Sequence, residues 1–185
     1  LFLMSFFSFI SCNGDQKVIT TEASLVPGKP DVDLTKESDK KFIVSAYEFN
    51  WYQIMLSKLA SRRTSSEEVR QFSAMLEDAS RDTKTALGSL AIMKSIRISS
   101  DPTQVVNAAY DTLNLSTVED FDIAYCNMII QSHKDAIALF ENATRDNLDP
   151  DIKSWASSVL PDLRAHLLNA TACETHLNPM SELIR

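Results

Sequence analysis

The sequence predicts an all-α protein built as a four-helix bundle, with a long connection containing a short helix between the second and third long helices. Residues that break helices are rare: the 185 residues include three glycines, and no proline lies between Pro30 and Pro102. This scarcity favours long helices over sheets with many turns. Apolar residues also recur at steps of three and four through four long segments, which is the spacing of one helix face.

The first eleven residues, 1–11, predict a signal peptide whose beginning is missing. Residues 1–10 read LFLMSFFSFI and carry no charge. A run of ten is too short to cross a bilayer, which takes about 20 residues, and is typical of the apolar part of a signal peptide. Phe9 to Cys12 resembles a bacterial lipobox, in which the cysteine is lipidated and becomes the mature N-terminus. The alternative is an ordinary signal peptide with an incidental cysteine.

Residues 12–36 predict a lipidated Cys12 followed by a flexible tether. The segment is polar, holds Pro27 and Pro30 and shows no periodicity. We therefore expect a partner membrane, reached through the lipid on Cys12. With 18 Lys and Arg against 25 Asp and Glu, the net charge is −7. No basic block is present, so nucleic acid is not expected as a partner. No protein partner is indicated.

The bundle domain is predicted over residues 37–178, and its first two helices form an antiparallel hairpin. Arg62 and Arg63 end the first helix with charges that suit its dipole. Ser65 and Glu68 form a capping box that opens the second helix, which extends to about Ser95. The two inner faces are Phe42, Ala46, Phe49, Gln53, Leu56 and Ala60, and then Val69, Phe72, Leu76, Ala79, Thr83, Leu87 and Leu90.

The connection that follows is predicted to contain a short helix. Asp101 is the expected N-cap, with proline in the first helical position, and the helix extends to about Leu113. A connection of this length permits a ferritin-like crossover.

The third and fourth long helices are predicted to form a second antiparallel hairpin. Ser116 and Glu119 form a capping box for the third, and Asp149 with Pro150 caps the fourth. Pro161 is expected to kink the fourth helix, and residues 179–185 form a C-terminal tail. The inner faces are Asp122, Cys126, Ile129, His133, Ala136 and Phe140, and then Ile152, Ala156, Val159, Leu163, His166, Ala170, Cys173 and Leu177.

The register of the second hairpin places two polar pairs at matching heights. Residues at one height have numbers with a constant sum, and both His133 with His166 and Cys126 with Cys173 add up to 299. The two levels lie about 10 Å apart at 1.5 Å per residue. The histidines are either core residues or metal ligands. The cysteines are either a disulfide or two buried free thiols. A single ion cannot bind both pairs.

Several residues of the second hairpin resemble a bacterial family, domain of unknown function 4142, labelled "predicted outer membrane protein". They are Phe121-Asp122, Tyr125, Met128, His133, Leu139-Phe140-Glu141, Leu160-Pro161-Asp162-Leu163 and His166-Leu167. The resemblance covers roughly residues 40–177. It implies a ferritin-like helical bundle, in a protein of the bacterial cell envelope attached by its lipid to the outer membrane and facing the periplasm.

The same resemblance implies that half of a metal site is degraded. The family usually has Glu where Gln53 stands, and Asp-His where Asp78 and Ala79 stand. Gln53 and Ala79 add up to 132, twice the centre of the first hairpin, so we expect them to face each other at one height. Together with His133 and His166 they offer no anionic ligand, and an ion loses most of its Coulombic attraction. Asp78 and Asp122 are the nearest substitutes.

Two functions are compatible with these residues. The first is a lipid-anchored, non-catalytic binding or structural module with a degenerate metal site and no cofactor. The alternative is a metal-binding or redox ferritin-like protein that holds a divalent ion with His133 and His166. The sequence has no Gly-rich phosphate loop, no His-Glu-x-x-His and no nucleophile elbow. An enzyme is therefore not favoured.

Overall fold

The computed structural model describes residues 32–146 and 148–178, and the regular secondary structure of that part of the chain is all α-helix. The predicted signal peptide, Cys12 and the predicted tail 179–185 lie outside the described residues. None of the described helices is long and apolar enough to span a membrane. In chain order the helices are α1 (Val32–Arg63), α2 (Glu67–Met93), α3 (Gln104–Asn114), α4 (Val118–Arg145) and α5 (Pro150–Leu177).

The four long helices pack as two hairpins, as predicted. α1 lies against α2 and α4 against α5, while α1 also contacts α4 and α2 contacts α5. Side-chain pairs show that α1 and α4 are antiparallel. Near one end the Ser57 and Tyr125 hydroxyls are 2.9 Å apart, and near the other the Phe42 and Phe140 rings are 5.2 Å apart between centroids. α3 packs mainly on α1.

The connection between α2 and α4 passes along the bundle. Where it begins, Lys94 lies 2.7 Å from the Asp149 carboxylate, and the Asp149 backbone N–H donates to Asp39 near the start of α1. Where it ends, the Arg63 guanidinium donates to the backbone carbonyls of Asn114 and Ser116. Opposite ends of α1 therefore meet opposite ends of this connection, and α3 forms part of its length.

Three predicted caps are displaced by one or two residues. Ser66, not Ser65, caps α2, and its hydroxyl accepts from the Val69 backbone N–H. Glu68 is consequently too early in the helix to complete a capping box, in which the acid stands three residues after the cap. Thr117 replaces Ser116 as the cap of α4, and Thr103 replaces Asp101 as the cap of α3.

The termini of the other helices follow the prediction more closely, with one exception. Asp149 caps α5 as expected, Arg62 and Arg63 lie in the last turn of α1, and α5 continues through Pro161. The exception is the start of α1, because residues 32–36 are helical although we expected them in the tether. The segment 36–41, KESDKK, contains good helix formers but only one buried side chain, so the apolar stripe does not mark it.

The core consists of two apolar clusters separated by a polar layer. The first cluster includes Phe42, Ile43, Leu87, Phe140 and Ile152, and the second includes Leu56, Leu76, Phe121, Tyr125 and Ile129. Neither cluster contains Asn50, Gln53 or His133, which are at most 1% exposed and fall between the two clusters along their helices. The candidate site lies in this polar layer, which contains His133.

Candidate functional site

His133 of α4 and His166 of α5 face each other across the second hairpin. Their ring centroids are 5.7 Å apart and their planes are nearly perpendicular, at 85°. His133 has no exposed surface, whereas His166 is half-buried. The hairpin register worked out from the residue numbers is therefore correct.

One hydrogen bond of the His133 ring determines which of its nitrogens carries the proton. Nδ1 lies 2.9 Å from the Ile129 carbonyl oxygen, one turn earlier in α4. A carbonyl can only accept, so Nδ1 is the donor and Nε2 holds the lone pair. Nε2 is buried and has no protein partner. The Phe49 ring lies edge-on to the imidazole, 5.3 Å between centroids, and restricts its movement.

Burial keeps both imidazoles neutral. Loss of hydration lowers the pKa of His133 to about 4, although the hydrogen bond to Ile129 opposes the shift. Burial also lowers the pKa of His166, and the negative charge of Asp162 opposes that shift. A neutral imidazole is the form that binds a metal ion. Both side chains thus have the right protonation state for ligands at pH 7, but contribute no charge.

A small cavity beside the two histidines is lined by residues from all four long helices. Its volume is about 10 Å³, close to the least that holds one water molecule. Its lining includes Phe49, Asn50, Ala79, Ser80, Thr83, His133, Asp162 and His166. Asp162 was not among the predicted site residues. The signal was available, because Asp162 precedes His166 by one helical turn and so lies on the same side of α5.

The two positions predicted to complete the site behave differently. Ala79 lines the cavity, as expected from the register of the first hairpin. Gln53 is not part of that lining, and the expectation that Gln53 and Ala79 face each other at one height stays a prediction. Its side chain is fully buried, and Nε2 donates to the Ser132 hydroxyl at 2.9 Å while Oε1 has no partner. This contact between α1 and α4 directs the amide nitrogen towards Ser132.

The donor set does not fit an established metal centre. Among residues 32–146 and 148–178, no three His, Cys, Asp or Glu side chains are grouped to share an ion. Catalytic zinc sites use three protein ligands, and carboxylate-bridged di-metal bundles need two Glu-x-x-His motifs and further glutamates. Asp78, one of the two suggested substitutes, is exposed. Asp122, the other, lies near Cys126 at a different level.

The cysteine pair occupies its own level, towards the end of α5. Cys126 and Cys173 are free thiols in the structure, Cys126 buried and Cys173 half-buried. Both pack in the same apolar cluster, and each thiol shifts the pKa of the other. They are therefore close together, as the register predicted, and the disulfide remains a prediction.

A family model described as "Domain of unknown function (DUF4142)" matches residues 26–173. The chain belongs to this family. The resemblance inferred from the second hairpin is thereby confirmed. A comparison with curated proteins gives no match.

The DUF4142 bundle also resembles a solved structure, titled "Crystal structure of DUF305 fragment from Deinococcus radiodurans". The TM-score is 0.67 at 12% sequence identity, and the alignment covers 75% of this chain and 96% of the other. Identity at this level shows a shared helical fold and nothing about activity.

Proposed function

We propose that this DUF4142 protein is a lipid-anchored module of the bacterial cell envelope whose bundle binds or supports another envelope component without metal chemistry. Its place would be the outer membrane, facing the periplasm. The observation against metal chemistry is the size of the cavity between His133 and His166, about 10 Å³, and the anchor is proposed from the lipobox-like residues Phe9 to Cys12. The arrangement of two hairpins joined by a connection along the bundle supports a ferritin-like fold without a ferritin-like centre.

The cavity disfavours an ion for two reasons. A divalent ion held by two imidazoles needs further ligands, and a space for one water leaves no room for the waters that would complete its shell. Both histidines are neutral, and the amide at Gln53 is turned towards Ser132. Coulombic attraction to a cation would come from Asp162 alone among the residues that line the cavity.

The alternative, a residual divalent-metal site, is favoured by one specific observation. Nε2 of His133 is buried with its lone pair unused, and His166 and Asp162 border the same cavity. These side chains would supply two nitrogens and one oxygen. A single water molecule in the cavity would satisfy the same nitrogen, and this explanation requires no displacement of the helices.

A cobalt(II) titration separates the two functions. We expect no protein-dependent d–d absorption with the wild-type chain, because the cavity has room for about one water molecule and not for an ion with its remaining ligands. Stoichiometric bands from the wild type that disappear in both His133→Ala and His166→Ala would establish the alternative.

The anchor is tested independently of the bundle. Cells expressing the complete precursor are labelled with a palmitate analogue, and membranes are separated by density. We expect labelled protein in the outer-membrane fraction, and no label for Cys12→Ser. Cys173→Ser should label as the wild type does. An unlabelled wild-type chain released into the soluble fraction would overturn the lipid anchor.

A further inference from the structure

A groove between α2 and α5 leads from the surface to a sulfur atom. Its volume is about 530 Å³, within the range of small-molecule sites. Cys173 forms part of its wall, and Phe72 and Met75 supply apolar surface beside it. At the rim, His176 Nε2 lies 3.3 Å from a carboxylate oxygen of Glu68. A small molecule in this groove would reach the Cys173 thiol.

A second thiol lies directly behind the first. Cys126 has no exposed surface, so a molecule in the groove meets Cys173 first. The interaction with the Cys173 side chain, together with burial, raises the pKa of the Cys126 thiol. The interaction with Cys126 lowers the pKa of the Cys173 thiol. Cys173 is thus the thiol that ionises first and is accessible from the groove. Cys126 is the buried thiol that can attack it in a second step.

We propose that Cys173 and Cys126 form a thiol–disulfide exchange site, in which Cys173 attacks a small disulfide bound in the groove and Cys126 resolves the product. The substrate class is a low-molecular-weight disulfide, in keeping with the volume of the groove. This site goes beyond the proposed anchoring role and shares no residue with the histidine cavity, so either can fail alone.

The exchange balances in two steps. In the first, Cys173 loses its proton to solvent and attacks one sulfur of R–S–S–R′; the S–S bond breaks and R′S⁻ leaves and takes up a proton. In the second, Cys126 loses its proton and attacks the Cys173 sulfur of the mixed disulfide, which releases RS⁻. The protein gains one S–S bond, the substrate loses one, and two electrons pass from the two thiols to the substrate.

The order of attack is tested with oxidised glutathione as the probe and intact-mass measurement as the readout. All chains are full-length and carry Cys12→Ser, so that only two thiols remain. We expect the parent to lose two hydrogens and to release two glutathione thiols per chain. Cys126→Ser should stop after the first step and gain the mass of one glutathionyl group. Cys126→Ala should do the same, which covers the case in which serine disturbs the core.

Cys173→Ser should react at least about tenfold more slowly, because buried Cys126 reacts only after local opening. Circular dichroism confirms that each variant is helical. A Cys173→Ser chain that reacts as fast as the parent would overturn the proposal. So would a parent chain that accumulates a stable glutathione adduct, or one that does not react while folded.

The groove itself is tested by adding a negative charge beside the thiol. In the Cys126→Ser background, Met75→Glu should slow adduct formation with anionic glutathione at least about threefold by repulsion and obstruction. Met93→Glu is the matched control, an exposed methionine on the same helix that does not line the groove. Equal rates in the two variants would show that the probe does not approach through the groove.

Discussion

The buried side chain of His133 makes the stability of the fold depend on pH. Its imidazole has no exposed surface, its Nδ1 proton is committed to the Ile129 carbonyl, and its Nε2 has no protein partner. Protonation would place an unpaired charge in the core beside another imidazole. The folded chain therefore resists a proton that the unfolded chain accepts readily.

The stability of the fold should fall in mild acid because of this residue. In the unfolded chain His133 titrates near its ordinary pKa of 6.5, whereas in the folded chain the pKa is about 4. Below 6.5 the unfolded state binds more protons, so the free energy of unfolding decreases as the pH falls towards 4. Between pH 7 and pH 5 we expect a loss of about 2 kcal/mol, measured by urea denaturation.

His133→Asn is the control for that titration, because the amide nitrogen can still donate to the Ile129 carbonyl. The variant should lose most of the difference between pH 7 and pH 5, whatever its absolute stability. An equal pH dependence in His133→Asn and in the wild type would show that other groups are responsible.

Gly88 offers a substitution that should stabilise the protein. It lies inside α2, and a methyl group built at its Cα would meet no atom within 4 Å. Gly88→Ala should raise the free energy of unfolding by about 1 kcal/mol, since alanine restricts the unfolded chain and creates no clash. Thermal or chemical denaturation measures the change. A decrease in stability would mean that the helix is distorted at this position.

At the level of the elements, the sequence identifies the helices better than their first residues. The stretch Ser65-Ser66-Glu67-Glu68 contains two hydroxyls and two acids, so the sequence is compatible with either serine as the N-cap. Only the backbone decides: Ser66 is extended, with φ −82° and ψ 125°, and its hydroxyl accepts from Val69. Apolar periodicity does not reveal the early start of α1 either, because exposed charged turns carry no apolar stripe.

The position of the α2 cap can be tested by two neighbouring substitutions. Ser66→Ala should lower the free energy of unfolding by about 1 kcal/mol, because the Val69 N–H loses its acceptor. Ser65→Ala should change it by no more than about 0.5 kcal/mol, since that side chain is exposed. The reverse order of the two effects would restore Ser65 as the cap.

On the scale of the whole molecule, the connection from α2 to α4 holds the two hairpins in their relative positions. Arg63 secures its far end: the guanidinium donates to the carbonyls of Asn114 and Ser116 and lies 4.5 Å from the centre of the Phe121 ring. One side chain at the end of α1 thus contacts the end of α3 and the first turn of α4. These contacts join residues about fifty positions apart in the chain.

Removal of this side chain should weaken the bundle. Arg63→Ala is expected to lower the free energy of unfolding by about 1–2 kcal/mol, because two charge-assisted hydrogen bonds and the contact with Phe121 are lost. Arg62→Ala, which removes an exposed neighbour of the same charge, should have an effect of at most about 0.5 kcal/mol. Equal effects of the two substitutions would point to the helix dipole rather than to the connection.

The sequence predicts those features of the histidine site that follow from the register of two paired helices. The register of one hairpin fixes His133 opposite His166, and that of the other fixes Ala79. Gln53 could not be placed in this way, because its amide rotates towards Ser132, a contact between helices of different hairpins. The volume of the cavity depends on the packing of side chains from four helices, which no periodicity reveals.

The central claim is that this cavity is a packed core and not a metal centre. It is tested most directly by loading the purified chain with iron(II), manganese(II) or zinc(II), removing free ions and measuring bound metal by emission spectrometry. We predict a metal content near zero that does not change in His133→Ala or His166→Ala. One ion per wild-type chain, lost in both variants, would contradict the account.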